Sequence, residues 1–214
     1  MTNRDANRGG CAQSCRWNYD IIQNGEKISN NSFDFSLASR DLNAIEFIPQ
    51  LIDAGVASLK IEGRMKSLHY IATIVNAYRR CIDEYYKNKS IKDFDIYKNN
   101  LSKGENREVS HGFFKGELTP NEEIYNHGIS QPNHDFVGIV LDYDEDTKIV
   151  TVEQRNVFSG NREIEILSPY KEPYKVKIKA IYDKDGNEIE SARNAQMIVR
   201  FKCEVPLKEF DLIR

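Results

Sequence analysis

The chain has 214 residues, 40% of them hydrophobic and 29% charged, which suits a globular protein and excludes wholesale disorder, a collagen-like repeat or a disulfide scaffold. Its 30 Lys and Arg stand against 33 Asp and Glu, a net charge of -3, so a strongly basic nucleic-acid coat is excluded while a local basic patch is not. No run approaches the roughly 18 apolar residues of a membrane span, and the start, MTNRDANRGGC, lacks the apolar stretch of a secretory signal. The expectation is a cytoplasmic protein with no membrane partner.

The first 30 residues are polar and rich in Asn and Gly, with one short strand predicted over Trp17 to Ile22. After Phe35 to Ala38, Ser39 or Asp41 can cap a helix with Leu42, Ile45, Ile48, Leu51 and Ile52 at helical spacing, ending at Gly55. Val56 to Glu62 reads as a strand. A longer amphipathic helix follows, with Leu68, Ile71, Ile74, Val75, Tyr78, Ile82 and Tyr85 on one face. This β, α, β, α order predicts parallel strands with helical crossovers, as in an α/β barrel or an open α/β sheet.

Residues 88–134 read as a connector holding a short helix near Ile91 to Leu101 and an irregular polar stretch, in which Ser110 to Phe114 is expected to be a docking turn with both phenylalanines buried. From Asp135 onward β-branched and polar residues alternate over Phe136 to Leu141, Lys148 to Arg155, Glu163 to Leu167, Lys175 to Ile181 and Met197 to Glu204. Five such strands imply a small antiparallel β-barrel, with hairpin turns at Asp142 to Asp146 and Asp183 to Asn187. The expected domains are 1–90 and 135–214, joined by 91–134.

Of four cysteines, Cys81 and Cys203 stand alone in a helix and a strand and read as small buried hydrophobes. Cys11 and Cys15 lie close together and can present two thiolates to one metal, which is half of a complete soft-ligand site. Arg4, Arg8 and Arg16 surround the pair, where they could hold an anionic ligand or an RNA phosphate, or simply face solvent in a polar loop.

Lys60-Ile61-Glu62-Gly63-Arg64-Met65-Lys66 clusters charge where a predicted strand ends and a helix begins, the position of the active site in α/β barrels. Glu62 would sit at the strand tip, Gly63 would allow close backbone approach, and Arg64 and Lys66 would bind a carboxylate beside the positive end of the helix dipole. The plainer reading is a Glu-Arg ion pair tying the loop together. Arg40 could add a second guanidinium from the equivalent edge. There is no G-x-S-x-G elbow, no H-E-x-x-H and no phosphate-binding glycine loop, and the four histidines have no serine or cysteine at a recognisable spacing.

The blocks Asn3-Arg4-Asp5-Ala6-Asn7-Arg8-Gly9-Gly10-Cys11-Ala12-Gln13-Ser14-Cys15-Arg16-Trp17 and Lys60 to Lys66 resemble those of the collagenase-like peptidase family U32. Asp135 to Gly138 and Val152 to Asn156 resemble its C-terminal barrel. The resemblance implies the last portion of a (β/α) barrel followed by a small β-barrel like those of translation factors, in an N-terminally truncated member. In fuller members two upstream cysteines and a later one help bind a 4Fe-4S cluster. The later position aligns with Asn43 here, so the resemblance implies an incomplete cluster site, with Cys11 and Cys15 as the metal candidates. Members of the family resemble proteins that hydroxylate wobble uridine in tRNA with a prephenate requirement. The resemblance therefore implies tRNA and a prephenate-like dicarboxylate as partners, and the charge pattern of the loop makes Glu62 the candidate catalytic residue and Arg64, Lys66, Arg40 and Arg8 the candidate substrate-binding residues. A companion subunit could supply the missing barrel. The alternatives are a collagenase-like peptidase and an inactive remnant or binding module.

Overall fold

The computed structural model describes residues 4, 5, 8, 10–29, 37, 40–63, 66–104, 109–117 and 136–214. Two compact units are formed, one from Met1–Ala44 with Asn106–Gln131, the other from Ile45–Glu105 with Pro132–Arg214.

In the first unit, β1 (Ile22–Gln23) and β2 (Glu26–Lys27) form a hairpin whose two turn residues, Asn24 and Gly25, both have positive φ, at 52° and 85°. That is the turn geometry that matches strand twist. The strand predicted from Trp17 is only an isolated bridge at Tyr19 before this short ladder, which the Ile28 N–H extends by one bond to the Ile21 carbonyl oxygen at 2.9 Å. The same unit holds one parallel pair, β3 (Asp41–Leu42) with β4 (Val109–Ser110). The His111 imidazole lies 3.1 Å from the Asn43 carbonyl oxygen. Contrary to expectation, Phe113 and Phe114 are not buried: they are 75% and 40% exposed on the short 3-10 turn Gly112–Lys115.

In the second unit, a 3-10 turn at Ile45–Phe47 leads into α1 (Ile48–Asp53). This helix begins later than the predicted Ser39 or Asp41 because the Asp41–Leu42 backbone is committed to the parallel ladder. Pro49 lies in the first turn, where no amide donor is needed, and Gly55 ends the helix at φ 80°. The predicted strand over Val56 to Glu62 is absent. An isolated extended segment has no ladder to hold it; among the described residues no strand pairs with this one, and Val56 and Leu59 are exposed.

Helix α2 (Leu68–Asn88) starts at Ser67, whose hydroxyl accepts the Tyr70 N–H, and α3 (Phe94–Ser102) starts at Asp93, which caps Asp95 N–H. Tyr70, Ile74, Ala77 and Cys81 of α2 pack with Ile45, Ile48, Tyr97 and Leu101 into one core. The second half of the predicted apolar face does not reach that core: Leu68, Ile71 and Val75 are 55%, 38% and 44% exposed. An α-helix has room for two apolar stripes, and here the second lines an open groove of about 490 Å³ with Ile139, Leu167, Tyr170 and Phe210.

The remaining strands are β5 (Gly138–Asp144), β6 (Ile149–Gln154), β7 (Phe158–Ser159), β8 (Arg162–Leu167), β9 (Tyr174–Ile178), β10 (Ile181–Tyr182), β11 (Glu188–Ile189), β12 (Ser191–Ala192), β13 (Ile198–Lys202) and β14 (Leu212–Ile213). Eight of them form one antiparallel sheet in the order β11-β10-β13-β6-β5-β14-β8-β9, and β7 pairs with β12 separately. The sheet curls as a half-barrel over a core that includes Val140, Val152, Phe158, Ile164, Ile178, Val199 and Phe201. All five predicted strands are present, the run predicted over Lys175 to Ile181 breaking after Ile178; β7, β10, β11, β12 and β14, each two residues long, are additional. The predicted turns hold through side-chain caps, Asp144 accepting from Asp146 and Thr147 N–H and Asp183 from Asp185 and Asn187 N–H. Strand β6 approaches β5 so closely that a Cβ on Gly138 would lie 2.5 Å from a Val152 methyl and 2.9 Å from the Glu153 oxygen.

A buried polar cluster joins the helices to this sheet. Arg214, its side chain fully buried, donates through Nε to Glu165 Oε2 at 2.6 Å and through its two terminal nitrogens to Thr73 of α2 and Asn100 of α3. Lys103 Nζ grips both Glu165 oxygens at 2.7 and 2.9 Å. Nearby, the Asn76 amide donates to the Ser168 and Lys171 carbonyl oxygens.

Removing one member leaves a buried charge unmatched, so Arg214→Ala should lower the stability to urea by about 3–5 kcal/mol, whereas Lys103→Met with Glu165→Leu and Arg214→Met together should cost far less. Burial alone would raise the Glu165 pKa, but hydrogen bonds from Lys103 and Arg214 outweigh it and hold the carboxyl below its ordinary value. This contribution is complete above the unfolded carboxyl pKa of about 4.3 and disappears as pH falls through the lower folded value. Urea midpoints measured from pH 7 to pH 3 should therefore drop more steeply for the native chain than for the triple variant.

Candidate functional site

The charged loop lies in the second unit, on the approach to α2. Gly63 packs against α2, where a Cβ would stand 3.0 Å from the Ile71 side chain. Its carbonyl accepts the Lys66 N–H at 2.9 Å, turning the chain into the Ser67 cap. Glu62 is 71% exposed at its side chain and lies 3.7 Å from Lys60 Nζ, and Lys66 Nζ sits 4.5 Å from the centre of the Tyr70 ring. Glu62 and Lys66 thus share one loop in front of the amide-rich start of a 21-residue helix, a setting that favours an anion. Arg64 lies outside the described residues.

Arg8, Cys11, Cys15 and Arg40 lie in the first unit. Arg8 is exposed and 3.3 Å from Asp5, whose carbonyl oxygen accepts the Arg8 and Gly10 N–H groups and folds the loop before the cysteines. Gln13, in the left-handed region at φ 53°, precedes the 3-10 turn Ser14–Arg16, and its N–H points to Cys11 Sγ at 3.3 Å. The Tyr19 hydroxyl donates to the Ser14 carbonyl oxygen at 2.7 Å, steadying that turn. Arg40 is half-buried immediately before β3; the sequence expectation put Arg40 and Asp41 beyond a strand, and the structure places Asp41 inside one.

Cys11 and Cys15 are exposed free thiols, and Cys81 and Cys203 are buried as expected. Among the described residues no group of three or more His, Cys, Asp or Glu could hold a metal ion. Two thiolates are half of a four-thiolate set, so the described donors alone do not make a 4Fe-4S site. Burial, reinforced by nearby Glu84, pushes the Cys81 thiol up to about 12, and burial likewise raises Cys203, so neither supplies a thiolate.

The loop offers cations and a carboxylate rather than an activated nucleophile. Its hydroxyl, Ser67, is engaged in capping α2. The arrangement suits attracting an anionic molecule. Sequence reading did not find the Glu165 cluster, whose members are scattered from Thr73 to Arg214; the only local sign is a glutamate between the two core isoleucines of β8, on the face turned away from the barrel core. Among the described residues no helix is long and apolar enough to cross a membrane.

The sequence model of Peptidase family U32 matches residues 1–123, and that of the Peptidase family U32 C-terminal domain matches residues 132–214. The whole chain is similar to tRNA hydroxylation protein P1 of Bacillus subtilis (strain 168), 41% identical over 222 residues that cover 52% of that relative. A collagenase of Porphyromonas gingivalis is 36% identical over 97 residues, 44% of this chain and 27% of the relative. A crystal structure of the C-terminal domain of a Geobacillus thermoleovorans U32 peptidase covers 38% of this chain and 99% of that one, at 42% identity and a TM-score of 0.36. The chain spans about half the length of the tRNA hydroxylation protein and about a quarter of that collagenase.

The exposure pattern predicts that two thiols per chain react rapidly with a disulfide reagent in the native state and four in denaturant, Cys11→Ser with Cys15→Ser abolishing the rapid pair.

Proposed function

The chain belongs to peptidase family U32, and on that premise we propose that it is part of a protein that hydroxylates wobble uridine in tRNA in the cytoplasm. The observation that carries this reading is the 41% identity to tRNA hydroxylation protein P1, which extends over the entire chain. The collagenase match covers less than half of the chain. The charged loop supports the same choice. Covalent peptide hydrolysis requires an activated nucleophile, and the hydroxyl in the described part of the loop, Ser67, is engaged in capping α2.

In this proposal Arg64 and Lys66 bind a prephenate-like dicarboxylate and Glu62 orients it or handles a proton, while Arg40 and Arg8, in the first unit, are separate candidates for binding an anionic substrate. The segments before and after α1 are the last portion of a (β/α) barrel. The rest of that barrel, and the thiolates that would complete a cluster with Cys11 and Cys15, come from polypeptide outside these 214 residues, in a companion subunit if not in a longer chain. The uncovered apolar residues Leu68, Ile71, Val75, Val56 and Leu59 support this, since such a stretch ordinarily faces protein. The 52% coverage of the relative supports it too. A 4Fe-4S cluster, when bound in the complete assembly, would supply electron-transfer chemistry.

The test is nucleoside mass spectrometry of bulk tRNA from cells lacking the gene and all redundant homologues. Restoring the gene should restore 5-hydroxyuridine derivatives, and Arg64→Ala or Lys66→Ala should reduce them roughly ten- to hundred-fold, the worth of a hydrogen bond to a charged group. Unchanged tRNA combined with gelatin cleavage that depends on Glu62 would favour the peptidase reading. Neither activity, in a chain that still folds, would favour a binding module.

A further inference from the structure

We propose that the outer surface of the half-barrel along β9 and β13 is a docking site for the phosphate backbone of RNA; this rests on the RNA-modifying reading above and assigns the surface that meets the RNA. Along β9 the side chains alternate, with Val176 and Ile178 buried in the barrel core and Lys175, Lys177 and Lys179 exposed on the opposite face. Alternate residues of a strand lie about 7 Å apart, close to the spacing of successive phosphates along an RNA strand. These lysines line a groove of about 470 Å³ together with Lys202 of β13, Tyr182 of β10 and the segment Cys203 to Val205.

Charge is segregated rather than scattered on this domain. Residues 135–214 carry 13 Lys and Arg against 16 Asp and Glu, yet residues 171–182 carry four lysines and one glutamate. Two acids, Asp142 and Asp144, lie beyond Tyr182, where they border a separate depression with Gly186 and Arg200. Within the groove, Lys175 bonds Glu163 at 2.7 Å and Lys202 bonds Glu204 at 3.2 Å. Among the described residues Lys177 and Lys179 have no ion pair, and Glu163, which stands across from Lys177 in the β8–β9 ladder, is already engaged by Lys175. Two free ammonium groups, two more in exposed pairs that a phosphate can displace, and an aromatic ring on the groove wall together make up the usual equipment for holding a nucleic-acid strand without reading its sequence.

The competing explanation is defensive. Strand β9 is an edge of the eight-stranded sheet, and lysines on edge strands deter pairing with another molecule. Either sign of charge serves that purpose, whereas phosphate binding needs positive charge, so charge reversal separates the two.

The experiment measures binding of the full 214-residue chain to unfractionated bacterial tRNA by fluorescence anisotropy, from 50 to 200 mM salt. The groove variant is Lys177→Glu, Lys179→Glu and Lys202→Glu; the control, Lys87→Glu, Lys89→Glu and Lys92→Glu, makes the same charge change around the end of α2. Because reversal beside Glu163 could perturb folding, a neutral Gln series at the same three groove positions is measured with it. The groove variant should weaken binding at least tenfold and flatten the dependence of log affinity on log salt by about two, at roughly 0.7–0.9 per phosphate contact. The control should stay within twofold and the Gln series should fall between.

Equal losses in groove and control variants would reduce the effect to bulk charge and overturn the site. Unchanged binding in a folded groove variant would overturn the site while leaving the RNA reading intact, whereas tRNA binding absent from the native chain would overturn both. Aggregation of the Gln series with native affinity in its soluble fraction would establish edge protection instead. Displacement of tRNA by polyglutamate at equal charge concentration would point to an acidic protein partner and overturn the RNA assignment.

Discussion

Glu165 is the residue on which the second unit depends. It stands on β8 opposite Arg214, exchanging both backbone hydrogen bonds with it, so the ladder brings the two side chains together before any ion pair is counted. The carboxylate then takes Lys103 on one side and the Arg214 guanidinium on the other, and that guanidinium reaches Thr73 and Asn100 on two different helices. Hydrophobic burial would hold the sheet against the helices in many registers, because it is non-directional. A buried fork of fixed geometry admits few, so the cluster sets where α2 lies against the sheet even though its net worth to stability is small. Asn76, bonded to two carbonyl oxygens of the segment after β8, adds a second directional tie one helical turn along.

The parts of this fold that were legible in the sequence are those governed by local rules. The strands from residue 135 onward show in the alternation of β-branched and polar residues, as in Ile149–Gln154, where inward and outward positions strictly alternate. Their hairpins show in Asp183 and Asp144, side chains that cap their own turns. Other features depend on partners far away in sequence. Val56 to Glu62 has strand composition but no strand beside it, and Asp41–Leu42 is a strand only because Val109–Ser110 lies parallel to it. Two apolar stripes on α2 look like one broad face in a helical projection, and only the packing of Tyr70, Ile74 and Ala77 with α1 and α3 shows which stripe the core uses. The charged loop before α2 could be placed from sequence because Glu62, Gly63 and Lys66 stand together just ahead of the apolar periodicity of the helix, whereas the Glu165 cluster, assembled from residues far apart in the chain, shows locally only as one glutamate among the isoleucines of β8.

The thiols illustrate how burial and charge divide chemically identical groups. Cys81 and Cys203 lie where desolvation disfavours a thiolate, and their nearest charged neighbours, Glu84 and Glu204, push in the same direction. Cys11 and Cys15 are exposed, in a loop that also carries Arg8 and Arg16. Only the second pair is available to a metal or an oxidant, and a four-residue step between them leaves half of a cluster's ligands to come from elsewhere.

The same reasoning applies to the charged loop. Lys66 and the start of α2 can attract an anion, but an exposed cation in water binds weakly, because the high dielectric and salt screen it. Catalysis needs the site closed and dry, so that the same charges act at short range in a low dielectric. The extended segment 56–62 and the outer stripe of α2 present apolar side chains next to that loop, leaving Val56, Leu59, Leu68 and Val75 between 39% and 55% exposed. A cover that buried those side chains would also exclude water from Glu62 and Lys66. In the assembly proposed above the apolar surface and the anion-attracting loop are therefore one requirement, since polypeptide laid over the first would also shield the second.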